Sequence, residues 1–135
     1  MKTQLALAVF LGGALLGGCS SKPDVSDVEE AIKEVWEPCR LVKPINIKKE
    51  NGIDHGDRYQ LAISYQIEIV RDIPRSDDMD RFLHQNCPLP TLVAFTTVLA
   101  SNNTFVDNGL KKGQTFDVAV EFKLIKSENG WVFVE

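Results

Sequence analysis

Arg58-Tyr59-Gln60-Leu61-Ala62-Ile63-Ser64-Tyr65-Gln66-Ile67-Glu68-Ile69-Val70-Arg71 is the stretch on which the fold turns. Tyr59, Leu61, Ile63, Tyr65, Ile67 and Ile69 alternate with Gln60, Ala62, Ser64, Gln66, Glu68 and Val70. Successive side chains of a strand point to opposite faces, so one face of this strand is apolar and the other mostly polar. A sheet covered on one side and wet on the other is antiparallel. Residues 114–126 repeat the pattern, with Phe116, Val118, Val120, Phe122 and Leu124 set against Thr115, Asp117, Ala119, Glu121 and Lys123.

Each of these strands has a neighbour in sequence. Residues 40–49 read as a first strand, with Leu41, Ile45 and Ile47 on one face and Pro44 pushing it to the sheet edge, since proline cannot donate to a ladder. The polar run from Glu50 to Asp57 reads as the hairpin loop, with Asn51-Gly52 as its turn signal. At the other end, Ser127-Glu128-Asn129-Gly130 is a turn into a last short strand around Trp131 and Phe133.

Residues 25–37 are the clearest helix. Val25, Val28, Ile32, Val35 and Trp36 recur at spacings of three and four, a single apolar stripe. Asp24 or Ser26 can cap its start, Ser26-Asp27-Val28-Glu29 fits a capping box, and Pro38 ends it. Ser76, Asp77 or Asp78 can cap a short helix running to Asn86, and Cys87-Pro88-Leu89-Pro90 reads as irregular or extended. Residues 91–100 carry both signals. Leu92, Phe95, Val98 and Leu99 suit a helix with Pro90 in its first turn, whereas the threonine and valine content suits a strand; the helical reading is preferred. The expectation is an α+β domain over residues 25–135, an N-terminal helix packed on a four-stranded antiparallel sheet in the order α-β-β-α-β-β.

The first eighteen residues are of another kind. Lys2 is their only charge, Leu5 to Leu16 form an apolar run, and Gly17-Gly18 are small residues suited to cleavage. That is the three-part layout of a secretory signal peptide, and the run is short for a membrane span. Leu16-Gly17-Gly18-Cys19 resembles the lipobox of bacterial lipoproteins. The resemblance covers the first twenty residues. It implies that Cys19 is acylated, that the leader 1–18 is removed before it, and that the chain is held in the cell envelope by lipid. Two or more acyl chains hold stably where one does not. Ser20, in place of the aspartate that resembles an inner-membrane retention signal, points to the outer membrane facing the periplasm. Residues 19–24 then form a lipidated cysteine and a short polar tether.

The other two cysteines follow from that address. In an oxidising compartment Cys39 and Cys87 are expected to pair as a disulfide. Of 15 basic residues Lys2 leaves with the leader, so 14 face 19 acidic ones, a net charge of about −5. That balance argues against nucleic acid and anionic lipid headgroups as partners, since both need a basic face, and the adjacent basic pairs Lys48-Lys49 and Lys111-Lys112 read as solvated turn or edge residues.

Chemistry is harder to find. Two carboxylates and an imidazole meet in Asp54-His55-Gly56-Asp57, but that is turn composition first. His84 lies alone on the short helix. There is no Cys-x-x-Cys pair, no G-x-S-x-G elbow and no glycine-rich phosphate loop past the leader. The expectation is a protein with no catalytic residues, no metal and no cofactor. The order of elements, and the ending Glu128-Asn129-Gly130-Trp131-Val132-Phe133, resemble the cystatin-like and NTF2-like rolls of small envelope lipoproteins. The resemblance implies a fold and no function. Its role is expected to be binding, as an accessory subunit of an envelope assembly with a protein partner. The alternatives are an inhibitor of a lytic enzyme such as lysozyme, with Asp54–Asp57 as the plug, and a carrier of a small ligand in the cupped sheet.

Overall fold

The computed structural model describes residues 22–102, 104 and 108–134. The expected leader and the acceptor Cys19 lie outside them. The elements are α1 (Val25–Trp36), a 3-10 turn (Glu37–Cys39), β1 (Val42–Asp54), β2 (Arg58–Ile69), α2 (Ser76–Asn86), α3 (Leu89–Ser101), β3 (Thr115–Ser127) and β4 (Gly130–Phe133). The four strands form one antiparallel meander in the order β1-β2-β3-β4. The fold is α+β, as expected, with two corrections. Two consecutive helices, not one, lie between the hairpins. And α1 is the first described element, not the start of the chain.

α1 forms for the reasons its sequence states, with one change of cap. The Asp24 carboxylate accepts from the Val25 N–H at 2.8 Å, and the Asp24 N–H donates to Asp27 Oδ2 at 2.8 Å. The capping box is therefore Asp24 with Asp27, not Ser26 with Glu29. Val28, Ile32 and Trp36 are buried against the sheet, each worth about 2 kcal/mol in removed apolar surface. Val35, expected in the same stripe, is 37% exposed. Val25 packs against the core only in part, so the stripe is centred on the i, i+4 row Val28, Ile32 and Trp36.

β2 carries the core face: Tyr59, Leu61, Ile63, Tyr65, Ile67 and Ile69 are all buried. β1 departs from its sequence reading. It runs through Asn51-Gly52 to Asp54, with Asn51 opposite Ala62 and Gly52 opposite Leu61. The turn is His55-Gly56-Asp57, with Gly56 at φ +90°. Gly52 serves another purpose there, since a Cβ on it would run into the Tyr59 ring. The Asn-Gly signal loses because the later turn adds pairs for Gly52, Ile53 and Asp54. Two register shifts break β1, the first between Ile45 and Lys48, with Asn46 at φ +54°. Asparagine is one of the few residues that tolerates that region. The bulge splits the expected face: Ile45 sits opposite Gln66 on the polar side, while Ile47 packs against the core.

The helical pair closes the other end. α2 starts at Ser76 with Arg75 in the N-cap position, whose side chain makes no capping bond. α3 starts at Leu89, with Pro90 in its first turn, so only Cys87 and Pro88 remain extended. Phe95, Val98 and Leu99 are buried, which settles residues 91–100 as helix. Cys39 and Cys87 are bonded, with their Cα atoms 4.1 Å apart. Beside them the Thr91 hydroxyl donates to the Val35 carbonyl at 2.6 Å. That bond satisfies one of the carbonyls α1 leaves open at its end. Among the described residues no helix is long and apolar enough to cross a membrane.

Candidate functional site

The helices cover one face of the sheet and leave the other open. On the open face the alternate residues of β1, β2 and β3 form a polar floor. Asn46 Nδ2 donates to Gln66 Oε1 at 3.0 Å, and Gln66 Nε2 donates to Asp117 Oδ1 at 3.1 Å. Nearer the hairpin end, Gln60 Nε2 reaches Glu121 Oε1 at 3.4 Å, and His55 Nε2 lies 3.1 Å from Gln60 Oε1. Ser64 Oγ donates to Glu50, and Lys48 pairs with the same carboxylate at 3.3 Å. The Ser64 hydroxyl first, and Lys48 second, hold the Glu50 carboxyl below its usual range.

A cleft of about 690 Å³ opens on this floor. Asn46, Lys48, Ser64, Gln66, Asp117 and Ala119 line it from the open face, and Tyr65, Val118 and the α3 end from Thr97 to Asn102 line it from the covered side, so the cleft reaches round the β3 edge. The lining amides and hydroxyls are held by one another, by the Glu50 and Asp117 carboxylates and by backbone carbonyls, which makes a fixed polar surface. Such a surface can recognise a polar partner.

The edge of β3 adjoins this cleft. In the β2–β3 ladder, Ile69 N donates to Gln114 O and Lys126 N donates to Asp57 O. Hydrogen-bonding pairs alternate along an antiparallel ladder, so the even-numbered residues of β3 point their backbone groups at β2 and the odd-numbered ones point away. On that outer side, Asn102 takes the place of a strand at Asp117. Its Nδ2 donates to the Asp117 carbonyl at 3.0 Å, and its Oδ1 accepts the Asp117 N–H at 3.3 Å. β4 pairs only from Leu124 onward, and Val134 N donates to Lys123 O. Between these two contacts, the outward N–H and C=O groups of Ala119 and Glu121 have no partner among the described residues.

The residues singled out in the sequence fall apart in space. His55 is in the β1–β2 turn, where Gly56 N donates to Asp54 Oδ1 at 2.8 Å, and His84 lies on α2 facing Asp80 at 3.4 Å. Among the described residues no three His, Cys, Asp or Glu side chains gather as a metal would need. Cys39 and Cys87 do come together, as a disulfide. Sequence reasoning missed Lys49. Its register places it opposite Ile63 on the covered face, and its ammonium donates to the Pro23 carbonyl at 3.0 Å and the Tyr59 hydroxyl at 3.2 Å. The bulge that turns Lys49 inward left no sign in the hydropathy pattern. Asn102 was likewise legible only as a loop residue. Comparison with family models, curated proteins and solved structures finds no match for this chain.

Proposed function

We propose that the chain is a lipid-anchored, non-catalytic binding subunit of the cell envelope, held by acylated Cys19 and engaging a protein partner through the open side of its sheet. The observation that carries the binding half is the unpaired edge of β3 beside a polar cleft, since unpaired backbone groups on a sheet edge readily take another chain. The lipobox Leu16-Gly17-Gly18-Cys19 carries the anchoring half.

The two halves agree in geometry. Pro23 is fully buried and its carbonyl is held by Lys49, so a tether from Cys19 to the domain can run no further than Lys22. Fully extended, those few residues span about 10 Å. Tyr59 lies at the hairpin end of the sheet, and the Lys49 side chain reaches toward it from opposite Ile63. Gln66, at the far side of the cleft, lies seven residues beyond Tyr59 along β2, about 23 Å away, while Lys48 and Ser64 line its near side. An anchor at Cys19 would thus hold the hairpin end near the bilayer and turn the cleft outward. The meander and its covering helix are in keeping with a cystatin-like or NTF2-like roll, the finer description we favour.

The alternatives have less support. A plug at Asp54–Asp57 would sit at the tethered end, close to the bilayer. A carrier would need room on the apolar face, which Val28, Ile32 and Trp36 fill.

Radiolabelled palmitate fed to cells expressing the chain, followed by affinity capture from envelope membranes, tests the reading. The wild type is expected to take up label and to retain one protein partner in stoichiometric amount, and Cys19→Ala to lose both. An unlabelled wild type removes the anchor. Equal enrichment in Cys19→Ala removes the envelope assembly.

A further inference from the structure

We infer that the open stretch of β3 is a strand-addition site for an extended partner segment in which apolar and basic residues alternate. The inference rests on the binding reading above and names the kind of partner.

Two outward-facing residues, Ala119 and Glu121, offer an N–H and a C=O each that have no partner among the described residues. They are bracketed by the Asn102 side chain at Asp117 and by Val134 at Lys123. The bracket admits an extended segment of about five residues, roughly 16 Å. Added strands take affinity from the backbone and specificity from alternate side chains. On the helix side of this edge, Val120 and Phe122 are half-buried, and Phe133 stacks on Phe122 at 5.6 Å while 46% exposed. That side asks for apolar residues. On the cleft side, Asp117 and Glu121 flank Ala119, with Lys123 beyond Glu121 at the end of the bracket. That side asks for a basic residue, since a like charge directly opposite would be destabilising.

The other edge of the sheet is closed to this use. β1 carries Pro44, two register shifts and Lys43, Lys48 and Lys49, the devices by which natural sheets blunt an edge. A second copy of β3 does not fit the open edge either. Paired antiparallel about Val120, its residues before Asp117 would fall on the place that β4 occupies against residues 124–127.

Amide hydrogen exchange on the full chain in detergent micelles tests this. The probe is acetyl-Val-Lys-Val-Lys-Val-amide, and the control is the same peptide with glutamate for lysine. In the free protein the amides of Ala119 and Glu121 exchange fast, and those of Val120 and Phe122, inside the ladder, exchange slowly. The lysine peptide is expected to slow Ala119 and Glu121 by about tenfold or more, and the glutamate peptide to have no effect. Ala119→Pro removes an outward donor and is expected to abolish the response while Val120 and Phe122 stay protected. Glu121→Lys is expected to invert the preference between the peptides, a readout that stands even if the proline variant does not fold. No slowing at ~1 mM lysine peptide overturns the proposal. So do equal effects of the two peptides, slow exchange at Ala119 and Glu121 in the free monomer, or protection that arises from dimerisation alone. None of these outcomes bears on palmitate labelling or capture at Cys19, so the edge and the anchor can fail separately.

Discussion

Trp36 donates its indole N–H to the Tyr65 hydroxyl at 2.9 Å, with both side chains buried. A buried polar atom costs little while paired and a great deal when its partner is removed. Trp36→Phe keeps most of the ring and deletes the donor, and is expected to cost about 1–3 kcal/mol in urea unfolding. Burial raises the Tyr65 pKa above its ordinary 10.0, and the Trp36 hydrogen bond pulls it part of the way back. The sign follows. Below pH 10.0 the full stability is present; above it the unfolded chain loses its tyrosine proton first, and stability falls as pH rises through the folded value. In Trp36→Phe the opposing pull is gone, so ultraviolet titration is expected to show Tyr65 ionising at still higher pH. An unmoved titration would mean that the indole does not act on the phenol. Trp36 and Tyr65 were each legible as apolar-row residues. Their meeting was not, since they lie 29 positions apart and nothing local records which row faces which.

At the scale of elements, the long alternations made β2 and β3 readable, and β1 was readable only in outline. Period-two hydropathy tells faces apart while the register holds, and a single extra residue exchanges them. The bulge at Asn46 is such an exchange: it puts Ile45 on the polar face and turns Lys49 to the covered one. The turn was misplaced because Asn51-Gly52 has the local chemistry of a turn, while the reason for Gly52 is the Tyr59 ring above it. Gly52→Ala is expected to cost about 1–3 kcal/mol through overpacking, seen as a lower denaturant midpoint. Gly56→Ala meets no atom and carries only the strain of its left-handed backbone, about 1 kcal/mol. If the two costs came out reversed, the turn would belong at Asn51-Gly52 after all.

Across the whole molecule, the Cys39–Cys87 bridge joins the end of α1 to the junction of α2 and α3, closing a loop of 48 residues. On the chain-entropy account such a closure stabilises by about 4 kcal/mol. Reduction, or Cys39→Ser with Cys87→Ser, is expected to lower unfolding free energy by about 2–4 kcal/mol. The loss should show first as faster amide exchange in α2, which sits on the sheet through α3. Two free thiols in the unreduced protein would remove the bridge. By itself the sequence determined the α+β class, the strands β2 and β3, the helix α1 and the pairing of the cysteines. These rest on composition and on periodicities confined to a dozen neighbours, which any local reading recovers. Only the tertiary structure decided the helical state of residues 91–100, the inward turn of Lys49, and the open edge between Asn102 and Val134. Each depends on which distant groups are brought alongside, and an unpaired backbone N–H looks the same in sequence as a paired one.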